Sequence, residues 1–498
     1  MALLPTRRQV FQLGSSAALL SATEPQQDLR IPDPLITEAY TQAAVKNVLA
    51  AVNPKVFPGY FSVCADGRGF GYGNTYPSLD GHQMTDALLW LGQVDVARNN
   101  WDYVRGFQRD DGLLPIAILP ASAGKDIGPA GFPSITASTG ALYTHWVPGN
   151  PLAALASPTY IQNADVIFRR TLDRAWLAAQ IESVNRSANY LESLTDANGA
   201  VRGGGYYIER PARLDRDGVT QPHAVDAFLR VAALNRVLKQ TTAAARYEAI
   251  AARIRSNFQQ QFWVQDHFIE YISPGHGAID SHGLSDTNWA ALAFGVATPE
   301  QERILWPRLV GEKAFYYGGM PTGIVTEPDN YEGWEFSYKD RMDVAAMGRV
   351  WYLECAARAR MGDAAGLIRT IHRVCETGRD SGYYWRERYT AEGPRGAEKY
   401  CEYPANLIRI VQRFVLGVDI RLDGTVALAP VAPPEFWRRG FGQALRWQGR
   451  VLDYRLEAHS LTGAYSGDGE QGIAIKGKRW TLPAAHADRP HRFHFRYA

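Results

Sequence analysis

From Pro34 onward, apolar residues recur three and four positions apart between glycine and proline breaks, and this spacing predicts twelve helices. They cover 35–52, 80–93, 95–109, 136–146, 171–194, 220–239, 241–262, 284–296, 298–310, 338–361, 363–377 and 403–416. The odd-numbered members are amphipathic, as in RYEAIAARIRSNFQQQF, and the even-numbered ones are rich in Ala and small residues, as in TNWAALAFGV. A helix with one apolar stripe covers a core, whereas one with no polar side must be enclosed. The alternation therefore implies an outer ring of helices around an inner ring. Several odd helices end in a turn followed by an extended aromatic segment: RDDGLLPIAI, DANGAVRGGGYYIER, VQDHFIEYISP and RDSGYYWRERY. Such repetition points to a helical hairpin used six times, a mainly α chain closed into an (α/α)6 toroid over 34–416.

In a closed toroid every loop that precedes an inner helix opens at one mouth. These loops read TYPSLDGHQMTDAL, PSITASTGALYTHW, ARLDRDGVTQPHAV, AIDSHGLSDTNWAA, YEGWEFSYKDRMDV and RGAEKYCEYPANL. Five of the six carry a carboxylate, most with His, Gln, Trp, Tyr or Arg beside it. N-capping explains Asp286 and Asp340 individually, but not the recurrence of the set. After Gly417 the period changes to two, in VDIRLDGTVALAP, QALRWQGRVLDYRLEAHS, GIAIKGKRW and RFHFRYA, which predicts a small antiparallel β-sandwich domain over 417–498.

Composition narrows the classes. At 498 residues and 46% hydrophobic the chain has room for two domains, and a net charge of +2 without basic blocks gives no footprint for nucleic acid. Cys64, Cys355, Cys375 and Cys401 lack metal-ligand spacing, so buried thiols are expected and neither a metal nor a cofactor. The generous Trp and Tyr content, much of it in Gly-rich loops, suits platforms for sugar rings. At the N-terminus, Arg7 and Arg8 followed by a short apolar run to Ala22 resemble a twin-arginine export signal over 1–23. The expectation is a periplasmic or secreted protein, free of the membrane once the signal is removed, of undetermined oligomeric state.

The chain from the first helix onward resembles the six-hairpin glycosidases, the group that holds glucoamylases, trehalases, processing α-glucosidases and bacterial α-L-rhamnosidases. AEKY at Ala397–Tyr400 looks like the segment before the last inner helix of glucoamylases and processing glucosidases, where the general base lies. EYP at Glu402–Pro404 looks like the corresponding trehalase segment. LDRDGVTQPHAV sits where those enzymes place their general acid, so the resemblance implies Asp217, with Asp215 as substitute. LDGHQMTDAL occupies the place that holds the terminal sugar's hydroxyls, and VLGVDIRLDGTVALAPVAP is similar to the start of the C-terminal β domain of rhamnosidases and related phosphorylases. The chain lacks a full trehalase signature, the paired glutamates of the glucoamylase acid motif and an N-terminal β-sandwich, which leaves the substrate open.

These positions imply an exo-acting, inverting glycoside hydrolase for a short glycoside or oligosaccharide. Asp217 is the expected acid and Glu398 or Glu402 the expected base, set wide apart across the mouth to admit a water. Asp80, His82 and Gln221 are expected to bind sugar hydroxyls and Trp334 and Trp385 to stack on the ring, although Trp334 suits a core position equally well. Glu335, Arg386 and Tyr400 complete the candidate substrate-binding set. Two other classes fit the same loops. A polysaccharide lyase would use a Tyr or His base such as His82, His223 or His282, and a carbohydrate-binding protein without turnover would keep the aromatics and not need the carboxylates.

Overall fold

A computed structural model describes residues 28–53, 59–66, 78–114, 153–203, 215–311, 315–335 and 344–497. The outer helices are α1 (Pro34–Gln42, continued as a π-helical turn over Ala43–Val48), α3 (Val94–Arg105), α5 (Arg174–Ser193), α7 (Thr241–Gln261), α9 (Pro299–Gly311) and α11 (Ala364–Asp380). The inner ones are α2 (Ser78–Trp90), α4 (Ala153–Thr171), α6 (Thr220–Val237), α8 (Asp286–Ala293), α10 (Gly348–Arg360) and α12 (Glu402–Ile410, with a π-helical turn over Val411–Val415). Three outer helices start where an Asp side chain accepts a backbone N–H: Asp33 from Ile36, Asp173 from Trp176 and Asp363 from Gly366. Nearly every side chain of α8 and every one of α12 is buried, whereas α3 and α11 bury one stripe. The inner helices pack in the order α2, α4, α6, α8, α10, α12 and back to α2, which closes the ring. The fold is the (α/α)6 toroid.

Two elements depart from the sequence expectation. The fourth helix, expected over 136–146, falls outside the described residues, and the inner member of its hairpin is 153–171, a stretch with Pro158 inside it that ends at Leu172 in a left-handed conformation, φ 49°. The tenth helix, expected from 338, is described from Gly348: positions 338–343 fall outside the described residues, and Ala346, just ahead of the helix, is drawn into backbone pairing with the neighbouring loop at Tyr389.

Short backbone pairings stitch the loops at one end of the ring. Cys64 bridges Tyr400, Tyr400 N–H donates to Trp385 O, and Tyr389 bridges Ala346, which also bridges Gly323. Val325 bridges Ser285, Asp217 pairs with Tyr271, and Gly203 links Asp215 to Ala154 at the start of α4. The residues that lead into the inner helices thus share one rim.

Beyond α12 come β1 (Val418–Ile420), β2 (Val426–Leu428), α13 (Pro434–Arg439), β3 (Phe441–Trp447), β4 (Arg450–Glu457), β5 (Ser460–Ser466), β6 (Gln471–Ile475), β7 (Lys478–Leu482) and β8 (His491–Arg496). They form two four-stranded sheets, β3-β4-β5-β8 and β7-β6-β2-β1. Alternate residues such as Leu452, Tyr454 and Leu456 are fully buried. Pairing is antiparallel except between β6 and β2, which run parallel, so the sandwich is not wholly antiparallel as expected. Gln412 and Gln443 exchange amide hydrogen bonds of 2.9 and 2.8 Å, and Arg170 Nη2 donates to Arg446 O at 3.1 Å, which seats this domain on the toroid.

Candidate active site

Glu402 opens α12 and lies against the first turn of α10. Gly348 permits the approach, since a Cβ there would stand 3.0 Å from both Glu402 Cγ and Tyr403 N. Arg349 then grips the carboxylate: its Nε lies 3.0 Å from Oε1, its Nη2 2.9 Å from Oε2, and its backbone N–H also donates to Oε1. This fork is the strong bidentate geometry of a guanidinium on a carboxylate. The same Nη2 reaches Asp80 Oδ1 at 3.5 Å, and Tyr400 donates its hydroxyl to Asp80 Oδ2 at 2.7 Å. Residues from the starts of α2, α10 and α12 therefore place two carboxylates about one permanent cation, all buried. Burial lifts the Asp80 carboxyl to about 6, opposed by Arg349 and reinforced by the negative Glu402.

Below this group lies a cavity of about 60 Å³ lined from five of the inner helices, by His82, Gln162, His223, Arg349 and Arg409 among others, and by Phe294 just past α8. It has room for a few water molecules and is far smaller than a ligand pocket. His82 donates from Nδ1 to Asn163 Oδ1 at 2.8 Å, and burial together with the nearby Arg409 drives its imidazole down to about 3. Burial likewise pushes His223 well below its ordinary value, so both histidines are neutral. The cations around the cavity are paired, Arg409 with Asp86 and Arg230 with Asp165 and Asp226.

A second buried group sits on the same rim, on the loops before α8 and α10. His282 Nδ1 lies 2.6 Å from Glu270 Oε2, and Tyr331 donates its hydroxyl to Glu270 at 2.8 Å. Tyr271 donates to Glu335 Oε1, which stands 3.2 Å from His282 Nε2, an ion-pair distance off the ring N–H direction. Burial disfavours the charged imidazole, but Glu270 and Glu335 outweigh it and hold His282 above its ordinary 6.5. Glu335 is held below the usual carboxylate range: burial pushes its carboxyl up, but the nearby His282 and the bond from Tyr271 outweigh that.

The residues singled out in the sequence separate accordingly. Asp80, Tyr400 and Glu402 come together, with His82 beneath them. Glu335 joins the His282 group. Asp217 is fully buried at the start of α6, directly across the ring from α12, and its Oδ2 accepts from the N–H and hydroxyl of Thr220, each at 2.8 Å. Gln221 ties the backbone of Val201 to that of Asp217 and takes no part in the pocket. Glu398 is the surface partner of Arg386, with 74% of its side chain exposed, which removes both from the mouth group. Trp385 is wholly buried and donates its indole N–H to Val374 O at 3.1 Å, so it is a core residue and not a sugar platform. Trp334 is 39% exposed and stacks on His276 at 3.9 Å. Asp286 is buried in the first turn of α8, and Asp340 lies outside the described residues, as does the twin-arginine segment.

Arg349, Glu270, Tyr271 and Tyr331 were not singled out. Arg349 did leave a sign, a cation in the first turn of an enclosed helix, where the helix dipole disfavours it unless a carboxylate is at hand. Glu270 is a lone carboxylate within the extended run FIEYI. All four cysteines are free and buried. Among the described residues no helix is long and apolar enough to cross a membrane, and no His, Cys, Asp and Glu cluster could hold a metal ion.

Searches of protein-family models and of curated proteins find no match. Among solved structures the chain is similar to a GH78-family rhamnosidase of Bacillus sp. GL1, with TM-score 0.63 and 14% identity over 91% of this chain and 43% of that one. It is also similar to a rhamnosidase from Klebsiella oxytoca with rhamnose bound, at TM-score 0.53 and 13% identity over 78% of this chain and 66% of that one. A GH63 mannosylglycerate hydrolase from Thermus thermophilus in complex with glucose gives TM-score 0.55 and 12% identity over 76% of this chain and all of the other. The chain spans less than half the length of the Bacillus rhamnosidase. At these identities the likeness is one of fold, and the fold is the toroid of six helical hairpins.

Proposed function

We propose that the protein is a glycoside hydrolase, exo-acting and inverting, with Glu402 as general base and Asp217 as general acid. The observation that carries this reading is the buried group of Asp80, Arg349, Glu402 and Tyr400 at the mouth of the inner ring. Arg349 forks onto the Glu402 side chain, and its three donors leave lone-pair capacity on Oε2 for a proton from water. That water attacks the anomeric carbon from one face while Asp217 protonates the leaving oxygen on the other. Helices α6 and α12 are opposite members of a six-helix ring, which suits the roughly 6.5–9.5 Å separation of inversion better than the close-set retaining pair. Asp80 and Tyr400, which share a hydrogen bond beside the base, are the proposed clamp for the terminal sugar's hydroxyls. The Bacillus and Klebsiella rhamnosidases and the Thermus mannosylglycerate hydrolase support a saccharide substrate through their shared fold.

The lyase reading has no comparable support. It needs a cation for a uronate, and Arg349 and His282 are each already held between two carboxylates. The proposal is tested by screening aryl glycosides and disaccharides and following the first product by proton NMR. The expected product anomer is opposite to that of the substrate. An unsaturated product absorbing in the ultraviolet, or a retained anomer, overturns it. Asp217→Asn is expected to slow poor leaving groups far more than activated aryl ones.

A further inference from the structure

We infer that the protein carries a second saccharide-binding site, outside the catalytic group and centred on Tyr316; the inference rests on the reading of the chain as saccharide-active. Tyr316 and Trp334 are the two large aromatic side chains among the described residues that stand exposed, at 42% and 39%. Trp334 is accounted for by its stack on His276 beside Glu335. Tyr316 takes part in neither buried group. Its ring borders two separate cavities, of about 290 Å³ and about 540 Å³, each several times the size of the one beneath Glu402.

The backbone next to the ring is held by the turn that follows it. Tyr317 and Met320 exchange backbone hydrogen bonds of 3.0 and 2.9 Å across Gly318 and Gly319, whose φ angles of 53° and 79° make a tight turn of the kind that needs glycine at both centres. The missing side chains also allow close docking: a Cβ on Gly318 would meet Thr390 O at 2.7 Å, and Gly319 O accepts from Arg373. An exposed tyrosine, with only two side-chain torsions, loses little freedom on binding, and its face suits the apolar C–H surface of a sugar.

The two cavities supply hydroxyl partners of both kinds. On one side stand Asp329 and Glu392, and on the other Arg369 and Arg373, the latter 3.6 Å from Glu376. Carboxylates accept from hydroxyls and guanidiniums donate to them, so a chain of neutral sugar units laid over Tyr316 finds both kinds of partner. The segments that carry Tyr316 and Glu392 are those leading into α10 and α12, joined to each other and to the rim by the bridges of Ala346 with Gly323 and Tyr389. The ligand class is therefore a neutral oligosaccharide, bound away from the point of cleavage.

The test is an array of neutral and acidic oligosaccharides probed with the full-length Glu402→Gln protein and with the same protein carrying Tyr316→Ala or Glu392→Gln. Neutral oligosaccharides are expected to be retained, with affinity falling about tenfold or more on Tyr316→Ala, roughly what a lost stacking contact with its hydrogen bonds is worth. A smaller fall is expected for Glu392→Gln. Tyr316→Ala in the otherwise unaltered enzyme is expected to cleave single-sugar aryl glycosides at the unaltered rate. Retention of no glycan, or equal retention by Tyr316→Ala, overturns the site. If no glycoside is cleaved while retention still depends on Tyr316, the site stands and the hydrolase reading falls.

Discussion

The two buried groups on the rim are built to the same charge plan and differ in their cation. Each sets two carboxylates about one positive side chain and completes the set with tyrosine hydroxyls: Asp80 and Glu402 about Arg349, Glu270 and Glu335 about His282. Arg349 is charged at every working pH and forks onto its partner, whereas His282 owes its charge to its neighbours. The supports differ as well. The first group rises from the first turns of three inner helices, and the second is carried by loops on either side of α8 and α9. Chemistry that needs a base held within a fraction of an ångström belongs on helices, and groups on loops serve better to shape a rim.

Removing the cation breaks the comparison most severely. Arg349→Leu leaves Asp80 and Glu402 buried against each other, and a loss of about 3–5 kcal/mol in unfolding free energy is expected by urea titration at pH 7. A loss below about 1 kcal/mol would mean that the group is hydrated and not a sealed ion pair.

Proton linkage sharpens it. Folded Asp80 holds its proton more tightly than the unfolded chain does, so its contribution to stability is full below pH 3.8 and is lost as pH rises through about 6. His282 also binds its proton more tightly when folded, so its contribution is full below pH 6.5 and is lost as pH rises through its higher folded value. Urea midpoints followed from about pH 4 to about pH 9 should lose their lower-pH slope in Asp80→Asn and their higher-pH slope in His282→Gln. Slopes unchanged in both variants would contradict the assignment of charge.

The smallest effect is expected at the rim. Trp334→Ala should shift stability by less than about 0.5 kcal/mol, as for other exposed positions. It should raise KM by up to about tenfold with kcat unchanged if a sugar ring stacks there. A fall in kcat alone would move Trp334 into the catalytic group.

The outer helices were legible in the sequence because each buries one stripe, and the polar face of α7 or α11 marks the period. The inner ring was harder, since enclosure erases the period. The stretch from Ala153 to Thr171, with Ser157, Thr159, Asn163 and Asp165 buried and Pro158 inside, reads as a loop until its neighbours are in place. The candidate site was half legible. Asp80, Tyr400 and Glu402 stood out because their loops combine carboxylates with aromatics, but Arg349 is separated from Glu402 by 53 positions and from Asp80 by 269, and only closure of the ring brings them together. Glu398 and Trp385 fit the motif equally well on paper. Their exposure and burial depend on which way a short turn faces, and at Lys399 that turn passes through φ 52°.

The central claim, that catalysis depends on the carboxylate clamped by Arg349, is tested most directly by turnover on an activated aryl glycoside in Glu402→Gln and Glu398→Gln proteins of equal stability. A general base is typically worth roughly 10² to 10⁴ in rate, so Glu402→Gln should lose about 10²-fold or more in kcat while still binding substrate, and Glu398→Gln should match the parent. The reverse pattern, or near-parent rates in both, would contradict the account.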